Sequence, residues 1–394
     1  MHLTKQEEAM LDGEMGEVAQ KSLRLLVRLG EIYGADRMIP VGSVQVAGVS
    51  YKSIGDPGLD FLEDFAAKGA KVKVLTYLNP AGMDMENWKE IGFPEEFAKN
   101  QIRIMEAFRK MGIVVTATCT PYLAGNLPRF RENIAWSESS AVSFSNSVIG
   151  ARTNREGGPS ALAAALCGVT PNYGLHLDEN RKPDMVIEVD ANMEFNSDYG
   201  ALGYHVGKLV KNKIPYFKGL NNPNTDQLKA LGAAMAASGA VALYHAEGLT
   251  PEARDFDVSG LEKVQVGKEE LKATFDKLNT GETPDIVILG CPHASLREIS
   301  ALADKVAGKT LKKPIWICTS RVMKEAADRM GFTGIIEKAG GRVVADTCMV
   351  VSPIEDMGFK TTGVNSGKAA NYLPGFCNQK VIFHNVDELV KRCL

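Results

Sequence analysis

Three cysteines of this sequence share one local setting. "IVVTATCTPYL" ends an apolar run at Cys119, "PDIVILGCPHAS" ends one at Cys291, and "GRVVADTCMVVSP" ends one at Cys348. A short apolar run that stops at a polar turn reads as a buried strand. In open parallel sheets the ligand crevice lies beyond the carboxyl ends of the strands. Three thiolates delivered there by distant strands could hold one iron cluster and leave a coordination position open to a substrate oxygen. For any single cysteine the plain alternative is core packing, because free cysteine buries well; the recurrence favours a site. No Cys-x-x-Cys pair occurs, which speaks against a zinc ribbon or a ferredoxin-type arrangement. Cys377, after Pro374 and Gly375, is the substitute third ligand, and Cys318 also ends a strand. Cys167 lies in the apolar "ALAAALCG" and reads as core, while Cys393 lies next to the chain end and is expected to play no part.

Polar groups at other strand ends could complete such a site. Gly48, Val49 and Ser50 follow "SVQVA", where backbone N–H groups could face an anion. Gly157, Gly158 and Ser160 precede a helix and form a second cradle of the same kind, although neither matches a Walker A or Gly-x-Gly-x-x-Gly pattern. Asn79 and Pro80 close "KVKVLTYL", and Glu138 and Ser139 stand at the entrance of an apolar helix, where an N-cap is the ordinary reading. Lys368 falls in the first turn of "GKAANY", against the helix dipole, so a site role competes with a solvated lysine. His293, beside Cys291, has the chemistry of an acid–base or orienting residue.

The elements that must carry these residues alternate. Thr4 with Glu7 is a capping box opening a helix that carries Leu23, Leu25, Leu26 and Leu29. "RMIPVGSVQVAGVSY" reads as a strand, "GDPGLDFLEDFAAKG" as a helix, "KVKVLTYLNP" as a strand, "FPEEFAKNQIRIMEAFRKMG" as a helix and "IVVTATC" as a strand. That is the pattern of α/β units with mostly parallel sheets. From residue 284 strands and helices alternate regularly, as in a doubly wound lobe. Three α/β lobes are therefore expected: residues 1–136, a small-residue-rich middle lobe at 137–283, and a doubly wound lobe at 284–394.

Composition narrows the function. The chain has 394 residues, 45% of them hydrophobic, and a net charge of -3. It has neither the basic field that nucleic acid or an anionic membrane would require nor an 18-residue apolar run. The N-terminal segment lacks the features of a signal peptide, so a cytoplasmic location is expected. Seven cysteines in a chain this long are not a disulfide framework.

Five segments taken together, "TATCTPYL", "WSESSAVSFSNSVIGARTNREGGPSAL", "GCPHAS", "ADTCMVVSP" and "NSGKAANYLPG", resemble the aconitase X family over nearly the whole chain. The resemblance implies an aconitase-superfamily-like fold and a 4Fe–4S cluster on Cys119, Cys291 and Cys348, which oxidation would convert to 3Fe–4S. It implies substrate contacts from Gly48, Val49, Ser50, Asn79, Pro80, Glu138, Ser139 and Lys368, with His293 and Glu138 as candidate catalytic groups. The implied reaction is a hydro-lyase step on a small phosphorylated hydroxy acid, (R)-5-phosphomevalonate, giving trans-anhydromevalonate 5-phosphate in an archaeal route to isoprenoids. Single-chain members of the family act on cis-3-hydroxy-L-proline and carry a fused swivel domain. Its absence here implies a separate small swivel-domain subunit, the source of a catalytic serine. The competing readings are hydroxyproline dehydration and a non-catalytic iron sensor that binds RNA.

Overall fold

The computed structural model describes residues 1–394. Its first part comprises α1 (Lys5–Leu11), α2 (Glu17–Tyr33), β1 (Met38–Pro40), β2 (Ser43–Val46), α3 (Tyr51–Ala67), β3 (Leu75–Leu78), α4 (Trp88–Ile91), α5 (Glu95–Lys110), β4 (Val114–Ala117), β5 (Ala135–Trp136), α6 (Ser139–Phe144), α7 (Gly158–Cys167) and β6 (Val169–Pro171). Strands β4-β3-β2-β5 form a parallel sheet, and β1 pairs antiparallel with β6 apart from it.

Two expected elements are each divided. The Thr4–Glu7 capping box is present, but its helix ends at Leu11, and Gly13 and Gly16, both at positive φ, separate it from α2. The strand read across residues 37–51 breaks at Pro40, so its two pieces serve different sheets. The Ala-rich α7, expected in the middle lobe, packs on the first sheet. Its Ala161, Leu162, Ala165 and Leu166 share a core with Val44, Val46 and Leu78.

The second part runs β7 (Met185–Asp190), α8 (Asn196–Val210), β8 (Pro215–Lys218), α9 (Thr225–Gly239), β9 (His245–Ala246), β10 (Lys263–Gly267) and α10 (Lys268–Leu278), with a parallel sheet in the order β10-β7-β8-β9. Asn224 and Gln227 cap α9 reciprocally, and its small residues allow the backbones of α8 and α9 to meet closely. A Cβ on Gly203 would lie 2.3 Å from the Leu231 carbonyl oxygen.

The third part holds β11 (Ile286–Leu289), α11 (Leu296–Val306), β12 (Ile315–Thr319), α12 (Arg321–Arg329), α13 (Phe332–Lys338), β13 (Arg342–Ala345), β14 (Thr361–Val364), α14 (Gly367–Cys377), β15 (Lys380–Phe383) and α15 (Val386–Cys393). Its five strands are parallel in the order β13-β12-β11-β14-β15, a doubly wound sheet whose order reverses between β11 and β14. A core of 40 residues joins one face of this sheet to α8, α9 and the second sheet, and α11, α13 and α15 cover the other face. Pro374 and Gly375, expected to form a turn before Cys377, lie inside α14, which Cys377 ends. Cys393, expected to be idle, is fully buried in the core under α11 and α15. No helix is long and apolar enough to cross a membrane.

Candidate active site

The carboxyl ends of the first and third sheets face one cavity of about 280 Å³. All four strands of the first sheet reach it. Ala47 follows β2, Asn79 and Pro80 follow β3, Cys119 follows β4, and Ser137, Glu138 and Ser139 follow β5. From the third sheet come Gly290, Cys291 and His293 after β11, Cys348 after β13, and Lys368 from the first turn of α14. Gly290 makes the exit from β11 possible. Its φ is +85°, and a Cβ there would lie 2.1 Å from the Cys318 carbonyl oxygen.

The three thiols are free and line the same wall. Burial pushes each of them up as a bare thiol, Cys291 to about 12, while the Lys368 charge pulls all three down. The side chains do not form a group that could hold a single metal ion. A multi-iron cluster seats its thiolates on separate irons, so a wider trio of sulfurs around one cavity fits that cofactor. A bound cation would invert the local balance and deprotonate the thiols.

The Cys348 loop is braced from the first sheet. Arg321 reaches Asp346 at 2.7 Å and Asp84 at 2.8 Å, and the Asp84 carboxylate takes the Ala345 N–H at 2.9 Å. The Ala81 N–H donates to the Asp346 carbonyl at 2.8 Å, and the Cys348 N–H donates to Ala81 at 3.1 Å. These bonds hold Asp346 at a φ of +59°, unfavourable for a residue with a side chain.

Glu138 caps α6 and is saturated. Its Oε1 takes the Lys368 ammonium and the Ser139 hydroxyl, and its Oε2 takes the Ser140 hydroxyl and the Ala141 N–H. Burial alone would raise its pKa; Lys368 and these donors outweigh that and leave it lowered. Burial lowers His293 to about 4, so the ring is neutral. Asn79 Oδ1 is buried without a partner.

Gly48, Val49 and Ser50 do not line the cavity, which their loop touches through Ala47. Two of their groups are spent on structure: the Ser50 hydroxyl caps α3 and donates to the Val351 carbonyl at 2.7 Å, and the Val49 carbonyl accepts from Gln101 at 2.9 Å. Cys377 also lies off the cavity wall, behind Val350 and Val351, with its thiol turned to the Val350 carbonyl at 3.2 Å. Cys318 is absent from the wall as well. Val350 and Val351 also line the cavity, and Tyr372 and Phe376, which the sequence reading passed over, complete it. They sit four and eight residues after Lys368 on α14, and that helical spacing is the signal that would have found them.

Family models described as the first, second and third domains of aconitase X match residues 1–179, 183–276 and 284–394. The chain belongs to the aconitase X family. A Methanocaldococcus jannaschii protein named phosphomevalonate dehydratase large subunit is 60% identical over 99% of this chain and 100% of its own length. A Pseudomonas aeruginosa cis-3-hydroxy-L-proline dehydratase is 36% identical over 96% of this chain, which covers 67% of that protein. Among solved structures, aconitase X from Thermococcus kodakaraensis in its holo-form superposes with a TM-score of 0.94 at 51% identity over the full length of both chains. The layered α/β architecture expected from the sequence is thus that of an aconitase X protein.

Proposed function

We propose that this chain is the large subunit of a phosphomevalonate dehydratase, a hydro-lyase that removes water from (R)-5-phosphomevalonate to give trans-anhydromevalonate 5-phosphate. The observation that carries the reading is the meeting of Cys119, Cys291, Cys348 and Lys368 on one cavity, in a chain aligned end to end with relatives bearing that name. Cys119, Cys291 and Cys348 would hold an iron–sulfur cluster, which supplies a Lewis acid for the departing hydroxyl when bound. The relatives' name also supports a small-subunit partner.

This chain's own residues bind and orient. Two of the three Lys368 donors are engaged, by Glu138 and Ser140, and the third is left for a carboxylate or phosphate oxygen of the substrate. Asn79 Oδ1 is available to accept from a substrate hydroxyl. Proton removal needs a base within reach of the carbon beside the carboxylate. Glu138 has its lone pairs filled, and both ring nitrogens of His293 are engaged. The base in this reading therefore comes from the small subunit, which would close the cavity.

The test is anaerobic co-purification with the small subunit and an assay for loss of water. Turnover of 5-phosphomevalonate, with none of cis-3-hydroxy-L-proline, is expected. The reverse preference would overturn the substrate assignment.

A further inference from the structure

The three cysteines reach the cavity on separate loops, and one side chain touches all of those loops. His293 stands two residues beyond Cys291, and its backbone N–H points at Cys119 Sγ at 3.1 Å. Its Nε2 lies 2.9 Å from the carbonyl oxygen of Thr347, the residue before Cys348. Its Nδ1 lies 3.0 Å from the hydroxyl of Thr118, the residue before Cys119. A carbonyl oxygen only accepts, so this network assigns the proton to Nε2. Nδ1 is thereby left to the Thr118 hydroxyl. That hydroxyl also takes the Thr120 N–H at 3.1 Å and lies 3.1 Å from the Thr120 hydroxyl, so the ring is tied to the loop of Cys119. The main chain of His293 is anchored in turn. Lys229, on α9 and 3% exposed, donates to its carbonyl oxygen at 3.1 Å while paired with Asp226 and Glu298.

We infer that His293 is a positioning residue, a strut that sets the spacing of the loops carrying Cys119, Cys291 and Cys348. The inference rests on the reading of those cysteines as cluster ligands. The ring is 1% exposed and both of its nitrogens are engaged by the neighbouring loops, so neither is free to face the cavity. All three parts of the fold converge on this residue: Thr118 from the first, Lys229 from the second and Thr347 from the third. Partners that orient metal ligands in this way contribute about 10–100-fold to metal affinity or activity.

The test uses the full chain reconstituted anaerobically with ferrous iron and sulfide. Iron release to excess chelator is followed beside the electron paramagnetic resonance spectrum of the cluster. Thr118→Val, which removes only the hydroxyl, and His293→Gln should each release iron about 10–100-fold faster than the parent and alter the spectrum. Thr118→Ser, which restores the hydroxyl, should recover parent behaviour and decides the matter if His293→Gln does not fold. Because the hydroxyl reaches the other loops only through the ring, the double variant should lose clearly less than the sum of the two single variants. Parent-like iron release in both variants, with kcat lowered and its pH profile displaced, would make the imidazole a proton-transfer group and overturn the inference. Additive losses in the double variant would overturn it too. A parent chain that takes up neither iron nor sulfide would instead sink the cluster reading beneath it.

Discussion

Lys368 and Glu138, 230 residues apart in the chain, meet as an ion pair sealed in the cavity wall. Their side chains are 9% and 6% exposed, so each charge depends on the other for its solvation. Burial by itself would lower the pKa of Lys368; the carboxylate beside it, with Cys291 and Cys119 adding, raises it instead. Removing one partner from such a pair typically costs about 3–5 kcal/mol, because the other charge is stranded. Lys368→Ala should therefore lower urea stability by about that much and abolish turnover. Lys368→Met combined with Glu138→Gln should regain most of the stability and none of the turnover. Unchanged stability and unchanged KM in Lys368→Ala would mean that the pair is solvated and plays no part.

Replacing Cys119, Cys291 or Cys348 by Ser should each abolish iron and sulfide retention in anaerobic protein, read by colorimetric assay of both elements. Cys377→Ser should retain the parent content, since its thiol faces the Val350 carbonyl rather than the cavity. A Cys377→Ser chain without iron would show that the third ligand has been misassigned.

The chain alone should turn over little substrate, and the small subunit should restore activity. Phe376 is 57% exposed at the cavity, an aromatic anchor ready to be covered, and its ring lies 5.5 Å from that of Tyr372. Phe376→Asp should weaken association by about 2 kcal/mol, as expected for a buried aromatic at an interface. The measurement is the small-subunit concentration that gives half-maximal activity. An unchanged value places the contact elsewhere.

His176 predicts how stability depends on pH. It is buried beside Arg181 and Arg152, with its Nδ1 on Asn133, and burial first and those charges second lower it to about 3. Its unfolded value is near 6.5. A lowered folded-state pKa means that the neutral ring contributes its full stability above pH 6.5, and that this is lost as the pH falls towards 3. Between pH 7 and pH 5 the loss from this group should be about 2 kcal/mol. Urea midpoints at the two values measure it, and His176→Gln should flatten the difference. An equally steep dependence in the variant would assign the effect to other groups.

What could be read from the sequence followed from period and punctuation. Strands β4, β11 and β13 show as apolar runs ending at Cys119, Cys291 and Cys348. Helix α5 shows through its length and α9 through its length and its Asn224 cap. Strand β14, "TTGV", was not read because it is four residues long with Gly363 inside, which no period can distinguish from a loop. Helix α8 is masked in the sequence because Gly200, Gly203 and Gly207 lower its propensity, although Gly203 and Gly207 let α9 approach and Gly200 lets the start of α14 approach. At the site, residue types at strand ends picked out Asn79, Glu138 and Lys368. They could not separate a glycine turn that faces the cavity from one spent on capping α3, so Gly48, Val49 and Ser50 looked equivalent to Asn79. That distinction depends on Val351 and Gln101, distant in sequence, and becomes visible only in three dimensions.

The convergence of the first and third sheets on one cavity also sets a timetable. The ribosome extrudes the chain from its N-terminus, so Cys119 and Glu138 are exposed to the cell well before Cys348 and Lys368 have been polymerised. No partial chain offers the complete trio of thiols. On the proposed cluster reading, iron and sulfide would settle only after nearly the whole polypeptide has left the exit tunnel, and chains broken off before α14 would leave the ribosome with an unfinished vessel. Until then the early thiols would have to be kept reduced without the metal that the proposed reading places on them. The demand this protein places on its host is therefore sharpest in the interval between translation and loading.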